Sequence, residues 1–185
     1  MQSVIKHRQI IEDRWQHLPD DAELPEGPVI VSLARWRRER AALLARGEPV
    51  GVRLPNTVDV AELAEDLPKF AVVALEFPKF ADGRAHSQAR LLRERYGYQG
   101  ELRATGDVLR DQLFFMARNG FDTFELRADR NLEDALAAFG EFSDSYQPAA
   151  DQPLPLYRRR GTRKENGGGA DSGFLTANTN PAGSD

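Results

Sequence analysis

The chain has 185 residues, no cysteine and a formal net charge of −4, which excludes thiolate nucleophiles, disulfide exchange, Cys-ligated zinc and Cys-ligated iron–sulfur clusters. The acidic balance speaks against a broad electrostatic footprint for nucleic acid, and no apolar run approaches the roughly 20 residues that cross a bilayer. The start MQSVIKHRQIIEDRW lacks the apolar centre of a signal peptide, so a cytoplasmic protein of one domain is expected, with neither membrane nor nucleic acid as a partner.

Residues 1–28 read as an N-terminal lead-in: a short strand at Gln9–Trp15 and the acidic loop LPDDAELPEGP, with His7 and His17 as surface groups. From 29 to 146, strand and helix signals alternate five times. The first unit has the apolar run Val29–Leu33 and a helix over Arg35–Arg46, stopped by Gly47. Its RWRRER segment is expected to be a solvated face. The second unit has a strand at Val50–Leu54 and a helix from Val58 to about Asp66, with Asp59 and Glu62 at capping-box spacing. The third has the strand Phe70–Phe77 and a helix over Ala85–Tyr96 closed by Gly97. The fourth has a strand at Glu101–Thr105, then a helix over Val108–Arg118 with Asp107 as N-cap and Asn119–Gly120 as its end. The fifth has a strand at Thr123–Arg127, then a helix over Leu132–Phe142 capped by Asn131.

Short strands alternating with helices through short loops predict an α/β domain at 29–146, built from five βα units around a mostly parallel sheet. Both a partial, TIM-barrel-like arrangement and a doubly wound one satisfy this order. Residues 147–185 are polar and Gly-rich without periodicity, and are expected to form a flexible, disordered tail.

One constellation stands out once the strands are laid side by side. Ser32, Arg53, Glu76, Arg103 and Glu125 each lie toward the C-terminal end of a successive strand, and alternation of side chains allows one face to gather them. With strands in sequential order, Arg53, Glu76, Arg103 and Glu125 alternate in sign across neighbours. Asn56, Lys79, Thr105 and Arg127 adjoin them from loops and strand ends. Ligand sites of α/β proteins gather at that end of the sheet. The same pattern also suits an ion-pair ladder inside an incomplete barrel, or an oligomer contact.

A second candidate is the loop FPKFADGRAHS, where Arg84 and the N–H groups of the following helix suit an anion; an ordinary tight turn suits it too. Glu76 and His86 are the candidate proton carriers, His86 being the histidine expected nearest the site. A metal site of the His or Cys type lacks ligands. Magnesium held by Glu76, Asp107 and Glu125 is opposed by the neighbouring arginines. No GxGxxG or Walker pattern occurs, so no cofactor is assigned.

The runs FPKF-x-DGR-x-x-S-x-A-x-x-LR at Phe77–Arg93, GELRATGDVL-x-DQ at Gly100–Gln112 and ARNGFD-x-FEL at Ala117–Leu126, with VGVRLPN at Val50–Asn56, resemble the bacterial family DUF934. The resemblance covers roughly residues 10–145. It implies a place in assimilatory sulfite reduction, since members are encoded beside sulfite reductase and often labelled probable oxidoreductases. It carries over no catalytic residues. The expected function is an accessory protein of sulfite reduction, with sulfite reductase, its electron donor or a small anion as partner. Arg53, Arg84 and Arg103 would hold the anion or an acidic surface, oriented by Glu76 and Glu125. The alternatives are a barrel-type lyase or isomerase on a small anionic substrate, and an oxidoreductase with an unrecognised flavin site.

Overall fold

The computed structural model describes residues 2–79, 81–127 and 129–141, the side chains of 140 and 141 excepted. One eight-stranded sheet organises them, in the order β2-β1-β8-β7-β6-β5-β4-β3. The strands are β1 (Ser3–Lys6), β2 (Gln9–Glu12), β3 (Gln16–His17), β4 (Val29–Ser32), β5 (Val50–Leu54), β6 (Val72–Phe77), β7 (Glu101–Gly106) and β8 (Thr123–Phe124). From β3 to β8 every neighbouring pair is parallel. β1 runs antiparallel to both β8 and β2.

The lead-in is therefore part of the sheet and not a segment ahead of it. Its hairpin gave no sequence signal because the two-residue turn is His7–Arg8, at φ 47° and 61°. Such a turn needs left-handed backbone at both positions, and Asn-Gly usually announces it. Here tertiary anchoring replaces propensity: the His7 amide donates to the Asp122 carbonyl at 2.9 Å.

The helices are α1 (Leu33–Ala45), α2 (Arg84–Arg90, continued by a π-turn at Leu91–Arg95), α3 (Leu113–Arg118) and α4 (Leu132–Glu141). The expected helix at Val58–Asp66 is replaced by two 3-10 turns, Val60–Leu63 and Leu67–Lys69. Asp59 does cap the first, accepting from the Ala61 amide at 2.9 Å. Glu62 instead reaches Arg37 at 2.5 Å, and Pro68 sits in the first turn of the second. The helix expected from Val108 starts late, with a 3-10 turn at Arg110–Gln112. Asp107 is not its cap: its amide is tied to the Phe77 carbonyl at 2.8 Å, and Val108 is fully buried. Among the described residues no helix is long and apolar enough to cross a membrane. The tail expected at 147–185 lies outside the described residues.

The helices pack on one face of the sheet. Val29, Val31, Val52, Val73, Leu75, Leu102 and Phe124 share a core with Trp36, Leu43, Ala89, Leu92, Met116 and Phe139 of α1 to α4. The opposite-facing Ile30, Val72 and Ala74 form a separate patch covered by Trp15. That asymmetry rules out the doubly wound arrangement, which covers both faces with helices.

The sheet also curls. In a flat sheet, five strand spacings would part β3 from β8 by about 24 Å. Yet His17 Nε2 in β3 lies 2.8 Å from Glu125 Oε2, just past β8. The result is a half-barrel with helices outside and the N-terminal segment laid across its inner face. Gly51 marks how tightly that face is filled. A Cβ there would sit 3.0 Å from Ile30 Cγ1 and from Val72 Cβ.

α1 does more than present a solvated face. Arg35 is buried, and its guanidinium donates to the Pro19 and Ala22 carbonyls and to Glu39, pinning the acidic loop. Trp36 Nε1 donates to Asp66 Oδ2 at 2.8 Å, and Arg40 and Lys69 reach the other oxygen. Burial raises the Asp66 pKa, but hydrogen bonds from Lys69, Trp36 and Arg40 outweigh it and bring the value down to about 2. A folded value below the unfolded 3.8 contributes stability that is complete above pH 4 and lost as pH falls through the folded value. Asp66→Asn is therefore expected to be less stable than the parent at pH 7, with the gap closing as pH approaches 2. Urea unfolding at pH 7, 4 and 2.5 checks this; a gap independent of pH would sink it.

Candidate functional site

The parallel register stacks the charged residues in two levels on the inner face. Ser32 pairs with Arg53, Arg53 with Ala74, Ala74 with Arg103, and Arg103 with Thr123. One level nearer the C-terminal ends, Glu76 pairs with Thr105. The Glu125 amide extends the β8 pairing by donating to the Ala104 carbonyl at 3.0 Å. The strand order is sequential from β4 to β8, as the alternation of charge required, but the two arginines sit a level below the glutamates.

Arg103 belongs to the interior. It is 1% exposed, and its guanidinium meets both Asp13 oxygens at 2.6 and 3.0 Å and Glu101 Oε1 at 2.8 Å. Glu101 also binds Lys6 Nζ at 2.6 Å. Burial opposes the Arg103 charge, but Asp13 and Glu101 more than offset that and hold it firmly protonated. Two cations and two carboxylates close on one another beneath the strand ends. Asp13 and Lys6 come from the N-terminal segment, which no sequence pattern linked to β7.

Above this cluster a cleft of about 500 Å³ opens at the C-terminal ends of β5 to β8, lined by Gln2, His17, Arg53, Glu76, Phe77, Pro78, Thr105, Gly106 and Glu125. Of the residues expected there, Arg53, Glu76, Thr105 and Glu125 line it. Gln2 and His17 were not anticipated, since both arrive with the N-terminal segment. Glu125 is held from three sides: Gln2 Nε2 at 3.3 Å, His17 Nε2 at 2.8 Å and Arg103 at 3.6 Å. Burial raises its pKa, but the His17 hydrogen bond and the charges of His17 and Arg103 lower it further, so it stays a carboxylate. Arg53 Nε lies 3.2 Å from Glu76 Oε1, and both side chains are about 40% exposed, 40% and 36%. Gly106 carries the chain past the rim at φ +92°, where a Cβ would come within 2.5 Å of the Phe77 carbonyl oxygen.

The other expected residues lie elsewhere. Arg84 grips Asp82 through Nη2 and Nε at 2.6 and 2.9 Å, and its amide donates to Asp82 Oδ1 at 3.2 Å. The Arg84 hydrogen bonds hold the Asp82 carboxyl well below the usual range. The anion at this turn is the protein's own. Asn56 is buried behind β5, and Lys79 follows β6 without reaching the cleft wall. Arg127 pairs with Asp129 at 3.2 Å and Asp107 at 3.9 Å. Ser32 caps α1, accepting from the Arg35 amide at 3.0 Å and donating to Asp20 at 2.6 Å.

His86, expected as the imidazole nearest the site, instead sits among the rings of Phe77, Phe115 and Phe121, at 5.1, 5.0 and 6.2 Å. Burial lowers its pKa, favouring the neutral ring. The histidine in the cleft is His17. Among the described residues no three His, Asp or Glu side chains come together as a metal site.

A larger hollow of about 670 Å³ lies at the opposite sheet end, beside the His7–Arg8 turn. Its arginine, Arg93, is occupied by the carbonyls of Tyr98, Gly100 and Gly120 and by Asp122. In parallel α/β folds that end serves stability, whereas chemistry gathers at the other.

No curated protein matches the chain. A family model does: "Bacterial protein of unknown function (DUF934)" matches residues 51–157, more than half of the sequence, and takes in Arg53, Glu76, Thr105 and Glu125 of the cleft. The chain belongs to the DUF934 family.

Proposed function

We propose that this chain is an accessory protein of assimilatory sulfite reduction, acting beside sulfite reductase or its electron donor. The cleft at the strand ends is where it meets a ligand or partner surface. The observation that carries the cleft's part is Arg53. Its closest approach to Glu76 is Nε to Oε1 at 3.2 Å, and among the described residues its two Nη groups donate no hydrogen bond. A half-exposed guanidinium with its fork unengaged is the natural receiver of a carboxylate or another oxyanion. Family membership supplies the tie to sulfite reduction, through the resemblance that its motifs carry. The absence of cysteine favours an accessory role over a thiol- or cluster-based redox enzyme. The finer architectural reading, a run of βα units equivalent to part of a TIM barrel, fits a site at this end of the sheet.

The test is complementation. In a deletion strain with sulfate as sole sulfur source, Arg53→Gln/Glu76→Gln is expected to fail to restore growth, while growth on cysteine is normal. A pull-down with the same variant is expected to recover at least about tenfold less sulfite reductase or donor, the equivalent of one lost charge-assisted contact. Full complementation by a folded double variant would remove the cleft from the function. A wild-type bait that never captures the reductase or its donor would remove the partnership.

A further inference from the structure

We propose that the cleft takes a small zwitterion of the α-amino acid type, its carboxylate on Arg53 and its ammonium against Glu76 and Glu125. This deepens the reading of the cleft as a ligand site and rests on it.

Beneath the cleft, Lys6, Arg103, Asp13 and Glu101 neutralise one another, so their charges do not dominate the opening. Apart from the His17 imidazole, which is already engaged by Glu125, the cleft itself holds one cation, Arg53, against two carboxylates, Glu76 and Glu125. A simple anion on Arg53 would face both carboxylates at close range. A simple cation on the glutamates would face the guanidinium. A ligand carrying both signs satisfies all three groups, and like-charge proximity in a half-enclosed site is costly enough to select it.

The free valences agree. Both Nη groups of Arg53 donate no hydrogen bond among the described residues, which leaves a planar fork for a carboxylate. Glu76 Oε1 is the oxygen nearest Arg53, and neither of its oxygens accepts a hydrogen bond among the described residues. Glu125 Oε2 is held by His17, whereas Oε1 has only the 3.3 Å contact from Gln2, so it retains acceptor capacity. The volume, about 500 Å³, lies within the range of small-molecule sites.

The experiment is isothermal titration calorimetry on the full chain at pH 8. The probes are the common L-amino acids, then for each one that binds, the matched carboxylic acid without the amine and the matched amine without the carboxylate. For alanine these are propionate and ethylamine. Sulfite is the fourth probe. At least one amino acid is expected to bind, with its acid and amine each at least about tenfold weaker, the cost of one unmet charged group. Arg53→Gln and Glu76→Gln are each expected to weaken binding by the same factor, and Arg90→Gln, on the outer face of α2, to leave it unchanged. Unfolding curves confirm that each variant is folded. Binding by no amino acid, or equally tight binding of the acid alone, overturns the proposal. Arg53-dependent binding of sulfite without any amino acid binding would overturn the zwitterion and leave the cleft a ligand site. Silence from all probes, together with full complementation by Arg53→Gln/Glu76→Gln, would bring down both.

Discussion

Arg103→Met is expected to cost about 3–5 kcal/mol of stability, or to abolish soluble expression, because it strips the cation from a buried cluster and leaves its carboxylates behind. Asp13 is 5% exposed and Glu101 7%, so neither turns to water without moving the backbone that carries it. Lys6 still serves Glu101 and His17 still serves Glu125, but Asp13 loses its only ionic partner among the described residues. Neutralising that carboxylate in the same chain, as Arg103→Met/Asp13→Asn, is expected to recover a substantial part of the loss. Urea unfolding of the parent, both single variants and the double variant measures the coupling. Additive effects would show that the cluster does not act as a unit.

The second large effect is expected at Trp36. Its indole is 1% exposed, meets Phe70 edge-on at 4.6 Å and donates to Asp66. Trp36→Ala removes the largest side chain of the outer core and an indole partner of Asp66, for about 3–5 kcal/mol. Trp36→Phe is expected to keep most of the packing and lose the hydrogen bond, at about 1–2 kcal/mol. Equal losses for the two substitutions, read by the same unfolding assay, would count against the packing argument.

The sequence spoke most clearly where one physical factor dominated. Phe70–Phe77 carries the nearly continuous apolar run FAVVAL, the composition of a strand buried on both faces, and Val72–Phe77 forms a strand there. Alternation within strands placed Arg53, Glu76 and Glu125 on one face, and sequential strand order brought them to one cleft. What stayed hidden depended on contacts remote in the chain. Asp13 gives no local sign that it will meet Arg103, 90 residues away, and His17 gives none that it will reach Glu125. Arg103 was therefore expected at the opening when it lies beneath it. Local rules also misled at Val58–Asp66, where Asp59 caps as expected but the capped turn is 3-10 rather than α-helical. At Arg84 an internal carboxylate fills the place a ligand anion was expected to take.

The inner lining of the half-barrel has a consequence for the order of assembly. Gln2, Lys6, Asp13 and His17 find their partners 123, 95, 90 and 108 residues downstream. During synthesis the stretch from Gln2 to His17 must wait, with three isoleucines and two acidic residues uncovered, until β8 has left the ribosome. Loops that long close slowly. The cleft thus acquires its His17 and Gln2 walls only when this segment docks against the residues that follow β8.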